Sequence, residues 1–261
     1  MGRTTADAAL LMSAIADENP HDPFTRPLDL TLLGGPEAVD LSSLRVAYSE
    51  DLGCAPVDDG VRATFRARMS KLKPLFAECD ARDPDLGPVH EVFEILRGVN
   101  FIAAHKDRFD KHRDLLGPNV IDNVERALTY TVEDVAWAHV EQTKLFRRFV
   151  NLYDDIDILV APACSVSPFP HETWYPTEVG GKPMPTYTHW ISITYGISMT
   201  IHPVAVIPCG LDPRGMPFGI QLVGRYQGDV ELFAIAHSLE RAIAGDKELA
   251  RPLPDLAKLR G

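Results

Sequence analysis

Cysteine is scarce in this chain: four residues in 261, at Cys54, Cys79, Cys164 and Cys209, none forming a C-x-x-C pair. That spacing excludes a cysteine zinc site and a dense disulfide framework, and it reads as four reduced thiols. Long apolar runs are also missing, since nothing approaches the roughly 18 residues of a spanning helix. The first residues carry Ala, Leu and Asp where a secreted precursor has a basic, apolar leader. A cytoplasmic protein with no membrane partner is therefore expected. Positive charge is short as well: 26 Lys and Arg stand against 37 Asp and Glu, for a formal net charge of −11. Nucleic-acid binding needs clustered cations that displace phosphate counterions, so nucleic acid is excluded as a partner. Finally, the chain contains no G-x-S-x-G, H-E-x-x-H, G-x-x-x-x-G-K-[ST] or G-x-G-x-x-G. These gaps remove the motif-borne readings of an elbow-serine hydrolase, a zinc protease and a nucleotide binder.

What remains is an ordinary globular composition, 45% hydrophobic and 24% charged. A chain of this length buries roughly three quarters of its unfolded surface. Thr4 to Asp7 has the form of a capping box with Asp in place of Glu, and Ala8, Leu11, Met12 and Ile15 follow at helical spacing. Residues 21–40, rich in Pro and Gly, read as an extended surface connection. Leu44 to Ser49 reads as a short strand. Val61, Phe65, Met69, Leu72 and Phe76 form a helix stripe that Pro74 bends near its end. Residues 88–116 and 131–153 predict two long helices, and Ile156 to Val160 predicts a buried strand. Pro162, Pro168, Pro170, Pro176, Pro183 and Pro185 mark residues 162–186 as a long loop without regular hydrogen bonding. It is either functional or a cover for core surface. Two strand runs, Pro203 to Pro208 and Pro217 to Val223, flank a turn, and Asp229 to Ile243 predicts a closing helix.

Candidate chemistry is thin. His105 and His112 lie two helical turns apart, too far to share one ion, and read as a solvated face, so no metal is expected. Asp154, Asp155 and Asp157 read as turn formers ahead of a strand, not as a magnesium site. A serine nucleophile needs a base within hydrogen-bond reach and backbone donors for the oxyanion. No serine here lies in a Gly-rich turn. Ser42, Ser165 and Lys182 carry nothing that marks them as catalytic.

The last third of the chain resembles the amidase signature family, serine hydrolases of carboxamide C–N bonds. Asp157 to Pro162 is similar to that family's D-x-L-L-x-P segment, and Pro203 to Gly210 to its P-A-I-S-V-P-x-G strand. Gly215 to Arg225 is similar to its G-x-P-x-G-x-Q-L-V-G block, with Asp229 and Glu240 in the helix expected next. At the other end, Met1 to Leu10 resembles the G-P-M-x-R-T-x-x-D-A-A-L-L segment, which lies downstream of the family's catalytic core. The resemblance implies an α/β fold over residues 1–261, the C-terminal portion of the amidase domain, with a mixed sheet flanked by helices and residues 162–186 as a cleft loop. It also implies a mechanism through a lysine, a bridging serine and a nucleophilic serine. All three precede this segment, so no catalytic residue is assigned, and no cofactor or metal is implied.

By the same resemblance, Trp174, Tyr175, Tyr187, Trp190 and Tyr195 are candidates for the acyl side of the pocket, against the alternative of plain core or surface aromatics. The sequence departs from the family's N-x-T-G-x-P-A at Ser198, Ile201 and Val204, keeping Thr200 and Pro203. His202 reads as a hydrogen-bonded structural residue. Three readings stay open. The first is an amidase portion, inactive alone, that acts on a small amide when complemented by its N-terminal half. The second is a free-standing, non-catalytic scaffold that binds a ligand or a partner chain, and the third a hydrolase with relocated catalytic residues. On the first, the split sheet leaves an apolar face and an open edge, and the isolated chain is expected to oligomerise or aggregate.

Overall fold

The computed structural model describes residues 1–25 and 38–253. From the N-terminus the elements are α1 (Thr5–Ile15), β1 (Arg45–Tyr48), α2 (Asp59–Leu72), β2 (Glu78–Ala81), α3 (Val89–Lys111), α4 (Pro118–Ala127), α5 (Val132–Leu152) and β3 (Ile158–Pro162). A short ribbon, β4 (Glu178–Val179) with β5 (Lys182–Pro183), follows, then α6 (Ser192–Ser198), β6 (Val204–Leu211), β7 (Pro217–Val223) and α7 (Asp229–Ile243). Five strands make one mixed sheet in the order β2-β1-β3-β7-β6. β1 is parallel to both β2 and β3, because helical crossovers join them, whereas the β6–β7 hairpin adds antiparallel to β3.

Local chemistry accounts for most of these elements. Thr4 caps α1, its hydroxyl accepting from the Asp7 amide at 3.0 Å. Val61, Phe65, Met69 and Leu72 are the buried stripe of α2, which stops at Leu72 because Pro74 sits in the 3-10 turn that follows. Thr131 and Asp134 close a reciprocal capping box at the start of α5. Every residue of β3 is buried, as expected of a central strand with parallel and antiparallel neighbours.

Several expectations need correction. The helix expected over residues 88–116 is α3, which ends at Lys111 before a 3-10 turn at Arg113–Leu115, and α4, with Pro118 in its first turn, is an additional helix beyond that stretch. Gly98 lets α3 meet the next segment closely, since a Cβ there would lie 3.1 Å from both Ala127 and Tyr130. β2 carried too short a pattern to be read. Residues 162–186 are not devoid of regular structure, because Gly180 and Gly181, with φ of +56° and +73°, turn the β4–β5 ribbon. On α1 the buried residues are Thr5 and Ala9, while Leu11 and Ile15 of the expected stripe are exposed. Within the 21–40 connection, residues 26–37 lie outside the described residues.

The sheet is braced by buried polar bonds. Gln221 Nε2 donates to the carbonyls of Pro162 and Ile193, both at 3.0 Å, tying β7 to the end of β3 and to α6. Asp157 accepts from the Arg45 and Arg225 guanidiniums at 2.9 and 2.8 Å. The Arg45 hydrogen bonds, with Arg225, outweigh the opposing effect of burial and hold the Asp157 carboxyl down at about 2. Asp155 pairs with Arg82 at 2.8 Å, so Asp155 and Asp157 both fasten the sheet.

Candidate functional site

A concavity of about 260 Å³ opens where β3 leaves the sheet, between the segment Ala163 to Phe169, Trp190 and the strand end at Phe218. Phe169 and Trp190 meet edge-to-face with ring centroids 5.6 Å apart and form its aromatic wall. Asp212 fixes the rim: its carboxylate accepts from the Ser167 hydroxyl at 2.7 Å and from the amides of Arg214 and Met216 at 2.9 Å. Burial acts to raise the Asp212 carboxyl, and those hydrogen bonds with the Arg214 cation overcome it to leave it below the usual carboxylate range. The same residue therefore closes the β6–β7 turn and tethers the loop that carries Phe169. Cys164 borders the concavity with an exposed side chain. All four thiols are held protonated, burial pushing Cys54 up to about 12, Cys79 and Cys209 to about 11, and raising Cys164 as well.

The five aromatics singled out from the sequence do not gather into one wall. Trp190 lines the concavity. Tyr175 and Tyr187 pair with each other at 6.1 Å, and the Tyr187 hydroxyl accepts from Arg97 on α3. Tyr195 is buried on α6, its ring stacked on Phe93 at 3.8 Å and its hydroxyl 2.7 Å from His90 Nδ1. Trp174 stands on the surface, 66% exposed. Phe169, interleaved among the prolines of the loop, and Phe218 were not among the pocket candidates.

Beside this region two imidazoles, His90 and His189, meet with ring centroids 4.4 Å apart and planes tilted by 37°, and burial lowers the basicity of both. His90 Nε2 donates to the Cys54 carbonyl at 3.2 Å, so Nδ1 accepts from Tyr195 and the ring is spent on structure. His202 is engaged at one nitrogen only, its Nε2 being buried without a partner among the described residues. Nδ1 donates to the Thr200 carbonyl at 2.7 Å, and the ring is stacked on Tyr153 and edged by Phe149. Ile201, at the family's glycine position, adopts φ of +60°, a left-handed conformation that a β-branched residue holds only under strain.

No serine hydroxyl among the described residues is hydrogen-bonded to a lysine amine or a histidine ring; Ser49, for instance, donates to Asp83 at 2.6 Å. Ser165 is buried without a partner for its hydroxyl. Among the described residues no group of three or more His, Cys, Asp or Glu is placed to hold a metal ion, and no helix is long and apolar enough to cross a membrane.

A mixed sheet flanked by helices, with an aromatic-walled concavity beside it, defines an α/β protein. The chain belongs to the Amidase family, whose model matches residues 1–233. It is 26% identical over 241 residues to an acylamidase of Rhodococcus erythropolis, covering 91% of this chain and 50% of that protein. A glutamyl-tRNA(Gln) amidotransferase subunit of Ralstonia nicotianae is 26% identical over 280 residues, covering 93% of this chain and 55% of the relative. Among solved structures, a bacterial aryl acylamidase of the amidase signature family superposes with a TM-score of 0.80 at 21% identity, covering 96% of this chain and 55% of the other, which shows the shared fold. The chain spans about half the length of the curated relatives it matches.

Proposed function

We propose that this chain is the C-terminal portion of a cytoplasmic amidase-family hydrolase of carboxamide C–N bonds. It supplies a substrate-cleft wall, while the lysine and the two serines of the family mechanism come from the complementing half. The observation that carries the reading is the pairing of a family match over residues 1–233 with the lack, among the described residues, of any serine joined to a lysine or histidine base. The chain by itself is then without hydrolytic activity. Phe169, Trp190 and Phe218 favour an apolar or aromatic acyl group at the cleft, which suits the acylamidase relatives better than a small polar amide.

Assay of the purified chain against simple anilides and primary amides tests this directly. No turnover above a mock preparation is expected, and activity that survives repurification overturns the reading. In the complemented enzyme, Trp190→Ala is expected to raise KM for aryl amides about tenfold with a smaller change in kcat, the loss of roughly 1–2 kcal/mol of apolar contact.

A further inference from the structure

We propose that the cavity between α2, the end of β6 and the turn after α7 binds a phosphate dianion, free or as the end group of a small metabolite. This site shares no lining residue with the aromatic-walled concavity, and every wall of it belongs to this chain.

The walls come from three places in the sequence. Arg68 stands among the buried residues of α2, Gly210 and Leu211 end β6, and Lys247 to Arg251 follow α7. Asp246 builds the turn: its carboxylate accepts from the amides of Glu248 and Leu249 at 2.7 and 3.2 Å, and its carbonyl accepts from the Ala250 amide at 2.8 Å. β6 can abut this turn because residue 210 is glycine. Its φ is +79°, and a Cβ there would lie 1.8 Å from the Glu248 carbonyl oxygen. The enclosed space is about 300 Å³, room for a small phosphate ester.

Charge in the cavity is unbalanced. Arg68 is only 9% exposed; its Nη2 donates to the Leu211 carbonyl at 2.5 Å, its Nη1 stands 3.6 Å from Glu248 Oε2, and its Nε is buried without a partner. A guanidinium held away from water by one neutral acceptor and one loose carboxylate is costly unless further negative charge reaches it. Glu248 is already engaged, since its carboxylate meets Lys71 Nζ at 2.9 Å. Lys247 and Arg251 add two more cations to the wall. Arg251 Nη1 donates to the Arg3 carbonyl at 2.7 Å, and neither side chain meets a carboxylate among the described residues. Three cations thus face one occupied carboxylate, in a chain where 37 Asp and Glu outnumber 26 Lys and Arg.

The donor set selects the occupant. A phosphate dianion brings close to two charges and several acceptor oxygens, which suit forked guanidinium donors together with the point charge of an ammonium. A monocarboxylate brings one charge and leaves the imbalance. A nucleic acid needs a basic stripe along its backbone, which a single cavity on a chain of net charge −11 does not provide.

The test is calorimetric titration of the purified full chain with inorganic phosphate at fixed ionic strength. Saturable binding of one phosphate per chain is expected, about tenfold tighter than acetate. The double variant Lys247→Gln/Arg251→Gln is expected to weaken phosphate about tenfold, and Arg147→Gln on α5, which removes an exposed cation elsewhere, to leave it unchanged. Binding should be about threefold tighter at pH 8 than at pH 5.5, because the second phosphate proton leaves near pH 6 while the arginines stay charged. One measurement needs no variant: the Arg68 Nε–H resonance is expected to shift as phosphate is added. Glycerol phosphate in place of inorganic phosphate separates the two sources, tighter binding assigning the site to an ester and equal or weaker binding to the free ion. The proposal is overturned by an absence of saturable binding, by acetate binding as tightly as phosphate, by an equal loss in Arg147→Gln, or by an Arg68 resonance that stays in place at saturation.

Discussion

The two edges of this sheet are finished differently. β2 presents Glu78 and Asp80 to solvent, with Lys73 3.5 Å from Asp80, and is only four residues long. β6 is twice that length and presents Val204 and Val206 beside an apolar helix. Charge and brevity are the usual means of stopping a strand from recruiting another, and they are applied at one edge only. The difference teaches that exposure in this fold is of two kinds. At β2 it is a solvated boundary, and at β6 it is a surface whose composition matches the interior.

The comparison is sharpened first at the centre, where neither edge matters. Leu159 of β3 is fully buried, and Leu159→Ala is expected to cost about 2–5 kcal/mol in urea unfolding. A loss under 1 kcal/mol means that the sheet is not the core described.

Next comes the clamp joining the parallel strands to the hairpin. Asp157, held at about 2 in the folded chain, has an unfolded value near 3.9. Because the folded value is the lower one, its contribution is complete above about pH 5 and is lost as pH falls through 2. That contribution is worth about 2 kcal/mol, and Asp157→Asn should flatten this part of the acid-unfolding curve. An unchanged acid limb in the variant shows that the two arginines do not hold the carboxylate.

At the approach to β6, Ile201→Gly is expected to stabilise the chain by about 1 kcal/mol, relief of the positive φ exceeding the entropy that glycine adds to the unfolded state. A destabilised variant means that Ile201 makes contacts which repay its strain. The smallest effect on stability is at the edges themselves. Val206→Lys should change unfolding of the isolated chain by no more than about 0.5 kcal/mol while reducing its self-association by light scattering. Asp80→Val at the opposite edge should leave stability equally unmoved and increase association. If both substitutions act in the same direction, the two edges are alike after all.

Much of the architecture was legible because its signals are local. α7 spans the expected Asp229 to Ile243, and the two strand runs expected at Pro203 and Pro217 are present as an antiparallel pair. Thr4 caps α1 as its sequence suggests. β2 and α6 escaped notice because four and seven residues are too few to show a period. The cleft was less legible than the fold. Trp174, Tyr175, Tyr187, Trp190 and Tyr195 look alike in a sequence, yet their destinations depend on distant partners: Arg97 for Tyr187, His90 and Phe93 for Tyr195, Phe169 for Trp190.

The sequence by itself determined the helix starts, the strand runs, the family resemblance and the absence of a motif-borne nucleophile, because caps, periodicity and motifs act over a few residues. Only the tertiary structure decided which apolar residues are core. Leu11 and Ile15 of α1 have the same helical spacing as Phe65 and Met69 of α2, and the first pair is exposed while the second is buried. Spacing sets which side chains share a face, but whether that face is covered depends on chain brought from elsewhere, and pattern alone carries no record of it.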